Sequence, residues 1–324
     1  VGGWLPLVVL LSAAPWLVGR GVSTGTLLGG LTYVLLGLQP ALNTVMSALG
    51  DSGLRYVVTL GRILDRSSLP EYKVMAQRPA GHEVRLQRVS FAYGPTAEPV
   101  LRNLDLVVPE GDHLAVVGPS GIGKSTLAGL ISGLLPPTEG ELRLGGVRPS
   151  ELEAADLADT RVVLPQQAYV FTGTILENVT YLRPHATAAQ ICAAIDAVGA
   201  FQLVRRLGGL AAVVRPAELS AGERQLIALA RAYLSPAPLA VLDEATCHLD
   251  PQAERIAEEA FAARPGTLIV IAHRVSSALR ANRILVLDGS NATLGTHGTL
   301  LQQSPLYAEL VGHWTADGQI QPAF

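Results

Sequence analysis

The first 50 residues hold almost no charge: Arg20 stands alone there, although the 324-residue chain carries 24 basic and 27 acidic side chains. Charged residues make up 16% of the whole, against about 25% in an ordinary soluble domain. Lysine is scarce as well, with only Lys73 and Lys124 set against 22 arginines, so a lysine in a motif stands out. The two cysteines, Cys192 and Cys247, have no CxxC spacing, which leaves no disulfide framework, zinc motif or dithiol pair. They read as buried or neutral thiols in a reducing compartment. A net charge of −3 gives no electrostatic grip on nucleic acid, so no nucleic-acid partner is expected. The uneven charge excludes one uniform soluble globule, and 49% apolar content excludes disorder and collagen-like repeats. The length allows about two domains.

What is present begins with two uncharged runs, residues 1–19 and 21–50. A helix needs about 20 apolar residues to cross a bilayer, and membrane helices tolerate prolines such as Pro6, Pro15 and Pro40. No basic segment precedes the first run, so a signal peptide fits poorly. Two membrane spans joined near Arg20 are expected; the alternative is a pair of buried helices in a soluble protein. Arg55, Arg62, Arg66 and Lys73 follow the second run, which places the rest of the chain in the cytoplasm by the positive-inside rule. Two helices cannot enclose a polar pathway, and the chain starts at Val1 rather than Met, so further membrane sequence upstream is expected.

From Glu83 the pattern changes to short apolar runs separated by turns. Leu114-Ala-Val-Val117 reads as a buried parallel strand, and it leads into Gly118-Pro-Ser-Gly-Ile-Gly-Lys124-Ser125-Thr126 and a helical stretch. This is a G-x-x-x-x-G-K-S phosphate loop in strand–loop–helix context. Its glycines let backbone N–H groups turn inward around a phosphate, and the helix N-terminus adds a favourable dipole. Gly118, Ser120, Gly121, Gly123, Lys124, Ser125 and Thr126 are therefore expected to bind ATP. Lys124 would neutralise phosphate oxygens, and the Ser125 hydroxyl would ligate Mg²⁺.

A second apolar strand, Leu239-Ala-Val-Leu242, ends in Asp243-Glu244. There Asp243 suits the Mg²⁺ shell, directly or through water, and Glu244 suits orientation or deprotonation of the attacking water. A third run, Thr267–Ala272, ends in His273, whose imidazole can contact a γ-phosphate. Taken alone His273 would serve packing; its place after the same sheet edge, before Arg274, favours a functional role.

These residues, in this order, resemble the nucleotide-binding domain of an ABC transporter. The stretch Leu219-Ser-Ala-Gly-Glu-Arg-Gln225-Leu-Ile-Ala-Leu-Ala-Arg231-Ala, just upstream of the Asp243 strand, is similar to the family's signature motif and its following helix. The resemblance implies that Tyr93 stacks on adenine and that Gln166 is the glutamine reaching Mg²⁺ and the attacking water, with Gln167 set aside. It also implies that Phe171–Val179 receives a coupling helix of the membrane domain and that Asp250 belongs to the D-loop. Two such domains close head to tail, so Ser220, Ala221, Gly222 and Glu223 would face the partner's ATP. Residues 1–62 then resemble the last two membrane helices of an exporter-type (type IV) half-transporter, with a linker at 63–82, the nucleotide-binding domain at 83–311 and a tail at 312–324.

The implied fold is an α/β P-loop NTPase domain with a parallel sheet, an antiparallel β-subdomain and a helical subdomain, preceded by a membrane α-helical segment. The implied function is that of a multi-pass subunit of the cytoplasmic membrane. It would couple ATP hydrolysis, with ATP and Mg²⁺ as cofactors, to export of a peptide, lipid or small natural product. Its partners would be a second half-transporter, identical or not, the lipid bilayer and a transported substrate of unknown identity. Import of a metal-chelating molecule on the same fold, or an ABC-type ATPase with no transport role, remain as alternatives. The signature departs from the family's LSGGQ: Ala221 adds a Cβ and Glu223 a negative charge near a nucleotide, so a competent but slower site is expected. Leu226 replaces a usual arginine, and 211–217 lacks the acidic run usual before the signature. His248 and His297 are expected to be structural or surface residues.

Overall fold

The computed structural model describes residues 5–38, 40–41, 44–45, 53, 56–61, 79–272, 274–289 and 291–316. The chain divides into two compact units, Val1–Glu71 and Tyr72–Phe324. Arg55, Arg62, Arg66, Lys73, His273 and the expected linker as far as residue 78 lie outside the described residues.

In the first unit a helix spans Leu5–Gly19 with Pro15 inside it. A turn follows, with Gly21 at φ +88°. Ser23 then caps a second helix, Thr24–Tyr33, by accepting from the Thr26 N–H, and a π-helical turn continues it over Val34–Leu38. Val8, Leu11, Trp16, Val18, Leu28 and Leu36 are exposed on these helices. Among the described residues no single helix is long and apolar enough to cross a membrane. The expected spans include residues 1–4, 39, 42–43 and 46–50, which lie outside the described residues; the described part of the first, the 15 residues of Leu5–Gly19, reaches about 22 Å at 1.5 Å per residue. The turn around Arg20 separates the two runs where the sequence divides them, and the Arg20 guanidinium lies 4.2 Å from the centre of the Trp16 ring.

The second unit is built on a six-stranded sheet in the order β11-β10-β3-β9-β8-β5. Its members are β3 (His113–Val117), β5 (Arg161–Leu164), β8 (Leu239–Asp243), β9 (Thr267–Ile271), β10 (Arg283–Asp288) and β11 (Asn291–Gly295). All neighbours run parallel except the edge pair β10–β11. Every residue of β3 and of β9 is buried, as expected where helices cover both faces of a parallel sheet. A separate antiparallel sheet, β2-β1-β4, joins β1 (Val84–Phe91), β2 (Leu101–Val108) and β4 (Glu139–Leu144), and a short antiparallel pair joins β6 (Gly173–Thr174) and β7 (Val213–Val214). The apolar residues of β1, β2 and β4 share a core with one face of the large sheet and with the helix Lys124–Ile131.

Four helices, Ile175–Thr180, Ala188–Ala197, Phe201–Leu207 and Ala221–Leu234, pack with the other face. Ala188–Ala197 and Phe201–Leu207 meet at 113° and are apolar enough together for a broken membrane span. Ile191, Ala194, Ile195, Leu203 and Val204 are buried in the domain core, however, so this pair is a core element. The fold is an α/β P-loop arrangement with an antiparallel sheet and a helical subdomain.

Candidate functional site

Because β3, β9 and β8 are parallel neighbours, their carboxyl ends share one edge of the sheet, the usual place for a ligand in such folds. The phosphate loop leaves β3 there, Asp243 closes β8, and Gln166 follows two residues after β5. A cavity of about 620 Å³ opens at this edge, and its lining includes Tyr93, Gly118, Ser120, Gly121, Gly123, Lys124, Ser125, Thr126, Gln166 and Glu244. Gly123 must be glycine: it turns into the helix at φ +109°, and a Cβ would stand 2.6 Å from Val100 Cγ1.

Within the cavity the side chains are tied to one another. Lys124, buried, donates from Nζ to the carbonyls of Gly118 and Pro119, both at 2.9 Å. Burial lowers its pKa, opposed by the nearby charges of Glu244 and Asp243. The Ser125 hydroxyl donates to Asp243 Oδ1 at 3.0 Å. Burial pushes the Asp243 carboxyl up; the Ser125 hydrogen bond pulls it down, Glu244 raises it and Lys124 lowers it. Gln166 Nε2 donates to Glu244 Oε2 at 2.8 Å, leaving its amide oxygen for a cation or water. Glu244 has φ +48°, a left-handed conformation that costs a non-glycine residue about 1 kcal/mol or more, and such strain clusters at functional sites. Tyr93 is 66% exposed, shares a hydrogen bond with Thr126 Oγ1 at 3.0 Å and meets Phe91 edge-on. A flat ring is thus held at the cavity rim, open on the side where a base could stack.

The donors fit Mg²⁺. Ser125 Oγ, Asp243 and the Gln166 amide supply oxygen, and few protein ligands suit an ion that keeps phosphate oxygens and waters. No group of three or more His, Cys, Asp or Glu side chains suited to a metal is found among the described residues. A resident metal would therefore depend on the bound phosphates for part of its shell.

The signature residues stand apart from the first cavity. A second, of about 520 Å³, is lined by Gln166, Gln167, Ala168, Ala221, Arg224, Gln225 and His248. Ser220 is the N-cap of Ala221–Leu234, and its side chain accepts from the Glu223 N–H, while Glu223 Oε2 accepts from the Ser220 N–H at 2.7 Å. Gly222 leaves room for the D-loop, since a Cβ would lie 2.9 Å from the His248 carbonyl oxygen. Asp250 is committed locally: Oδ1 accepts from the N–H groups of Gln252 and Ala253 at the start of Pro251–Ala263. Neither cavity's lining includes its carboxylate.

Several contacts here were not expected from the sequence. Gln225 bridges the signature helix to the D-loop, accepting the His248 N–H at 2.9 Å and reaching Cys247 Sγ at 3.4 Å. His248, expected to be a structural or surface residue, is exposed and lines the second cavity, and Cys192, expected to be a buried or neutral thiol, is exposed. Arg231 donates to the carbonyls of Asn178 and Tyr169 and to Asn178 Oδ1, linking the signature helix to Phe171–Val179. Between the helix Pro251–Ala263 and the segment from Arg274 to Arg280, Glu254 pairs with Arg274, Glu258 pairs with Arg280, and Ser277 bonds both carboxylates. Ser220-Ala-Gly-Glu223 matches the S-x-x-E capping box, so that element was open to reading from sequence. The others join positions distant in the chain, with no local signal.

The family model for ABC transporters matches residues 101–247. The chain is 51% identical to the ABC transporter ATP-binding protein RamB of Streptomyces coelicolor, over 98% of this chain and 58% of that protein. It is 33% identical to an ATP-dependent lipid A-core flippase of Haemophilus influenzae, over 94% and 54%. It is 35% identical to the mycobactin import ATP-binding/permease protein IrtB of Mycolicibacterium smegmatis, over 98% and 56%. Among solved structures, a bacterial Atm1-family ABC exporter with ATP bound superposes with a TM-score of 0.70 at 31% identity, covering 98% of this chain and 57% of that one. The chain thus spans a little over half the length of the relatives it matches.

Proposed function

The chain belongs to the ABC transporter family, and on that premise we propose that it is the ATP-hydrolysing, membrane-spanning part of an exporter-type half-transporter. It works with a second half-transporter, identical or not, in the cytoplasmic membrane, with residues 83–311 as the ATPase domain on the cytoplasmic side. Its cargo is a peptide, a lipid or a small natural product. The observation that carries the reading is the convergence of phosphate loop, Gln166 and Glu244 on one cavity.

ATP lies with its base against Tyr93 and its phosphates over Gly118–Thr126, where Lys124 exchanges the Gly118 and Pro119 carbonyls for phosphate oxygens. Ser125, Asp243 and the Gln166 amide oxygen would hold Mg²⁺, which when bound supplies positive charge to those oxygens. Glu244, fixed by Gln166, takes the proton of the water that attacks the γ-phosphorus as the bond to the ADP oxygen breaks. His273, outside the described residues, is assigned the γ-phosphate contact. Ser220, Ala221 and Gly222 present a hydroxyl and helix N-terminal N–H groups to the ATP of the partner. Closure on two ATP molecules moves the membrane helices, and hydrolysis resets them. Phe171–Val179 is the receiving surface for that motion.

Glu244→Gln in the lipid-embedded assembly tests the chemistry. ATP binding persists while steady-state phosphate release falls by about 10²-fold or more; undiminished turnover would sink the assignment. A second reading, import, is favoured by the 35% identity to a mycobactin importer. Accumulation of labelled cargo in inside-out vesicles supports export, and loss from them supports import.

A further inference from the structure

The signature's last position carries a carboxylate, Glu223, on a face that meets the triphosphate of a partner subunit under the reading proposed above. A bare negative charge there would repel the ligand it has to bind. Both carboxylate oxygens are engaged elsewhere. Oε2 accepts the Ser220 N–H at 2.7 Å, and Oε1 pairs with the Arg206 guanidinium. The Ser220 hydrogen bonds and Arg206 hold the Glu223 carboxyl below the usual carboxylate range, against some desolvation, so the charge cannot be shed by protonation at neutral pH. Arg206 comes from a different helix, Phe201–Leu207, 17 residues away in sequence. The side chains are 59% exposed for Arg206 and 24% for Glu223.

An exposed pair of this kind contributes little to stability. Its value lies in where the charge sits. We propose that Arg206 is a positioning residue for ATP binding: it cancels the Glu223 charge and keeps the carboxylate folded back on the helix start. The face presented to the partner's nucleotide is then the Ser220 hydroxyl and the N–H groups of Ala221 and Gly222. Arg206 thereby makes an acidic signature usable. The inference rests on the reading that the signature meets a partner's ATP.

The test is ATPase activity against ATP concentration in the full lipid-embedded assembly, at low and at high salt. Arg206→Ala raises KM for ATP about five-fold at low salt, the scale of one unit charge near a phosphate in water, with kcat changed less. The difference shrinks at high salt, which a structural role would not produce. Arg206→Lys, keeping the charge, stays near the wild-type KM. In a Glu223→Gln background, Arg206→Ala changes KM by less, because only the arginine charge is lost and no carboxylate is freed to face the nucleotide. Equal KM changes in both backgrounds, a salt-independent change, no change from Arg206→Ala, or Arg206→Lys behaving like Arg206→Ala would each overturn the proposal. Ser220→Arg blocks the face itself and separates the two levels. If it keeps full turnover, the signature reading fails and the proposal with it. If it abolishes turnover while Arg206 and Glu223 act independently, the Arg206 role alone fails.

Discussion

Replacing Arg231 with alanine should loosen the segment from Tyr169 to Tyr181 while leaving the phosphate loop intact. The Arg231 side chain, half-buried, donates to the Asn178 carbonyl at 2.7 Å, the Tyr169 carbonyl at 2.8 Å and Asn178 Oδ1 at 3.0 Å. Its guanidinium carbon also lies 5.7 Å from the Phe171 ring centre and 5.8 Å from that of Tyr181. Asn178 is fully buried and spends its own amide on the Phe171 and Thr174 carbonyls. Without the guanidinium two carbonyls lose a charged donor, whereas Asn178 Oδ1 keeps the Phe171 N–H at 3.1 Å. Bonds to a charged donor are worth about 1.5–3 kcal/mol each, but removal also releases a cation whose burial is costly and lowers its pKa. A net cost of about 3 kcal/mol follows. If the segment opens as a local unit, its amides exchange about 10²-fold faster while β3 and β9 hold their protection. Hydrogen-exchange mass spectrometry of the variant measures this directly. Arg231→Lys recovers only part of the protection, because an ammonium cannot fork to three acceptors in one plane. Exchange over 169–181 within a few-fold of wild type would refute the reasoning. Cargo-stimulated ATPase should fall in Arg231→Ala while basal ATPase persists, if this segment receives the membrane domain's motion.

Two further outcomes are expected. Lys124→Ala removes the buried ammonium that would move from loop carbonyls to phosphate oxygens, and ATP affinity should drop by about ten-fold or more in a fluorescent-nucleotide titration; unchanged affinity would exclude Lys124 from phosphate binding. Burial, opposed by Asp112 and aided by Arg280, lowers the pKa of His113 from 6.5, and its Nε2 has no hydrogen-bond partner among the described residues. The folded state thus prefers the neutral ring: the stability it contributes is full above about pH 6.5 and falls as the pH drops through the lowered pKa. His113→Leu should flatten that part of the melting-temperature profile, and an identical acid-side slope in variant and wild type would contradict the sign.

The phosphate loop was open to reading because every part of it is local. Strand, glycines, Lys124, Ser125 and helix follow one another, and each type has a physical reason at its spacing. The Asp243–Glu244 strand end was equally plain, since a continuous apolar run before two carboxylates marks a buried parallel strand. The engagement of Glu223 by its own helix was also local and could have been read as a capping box. The sequence expected instead a charge facing a nucleotide, because it weighed Glu223 against a family pattern rather than against Ser220. In the first unit the lone charge at Arg20 marked the division between the two uncharged runs, and the turn with Gly21 and the Ser23 cap that begins the next helix fall there.

By itself, then, the sequence determined which residues could bind a nucleotide and that the chain changes character near residue 83. The tertiary structure decided which of them meet. Ser125 meets Asp243 across 118 residues and Gln166 meets Glu244 across 78, because the strands that lead into these positions end at one sheet edge. Arg206 and Arg231 acquire their partners in the same way. Such pairings depend on strand order and helix packing, which arise from burial of apolar surface throughout the domain. That burial is collective and non-directional, so no local stretch of sequence carries the pairing.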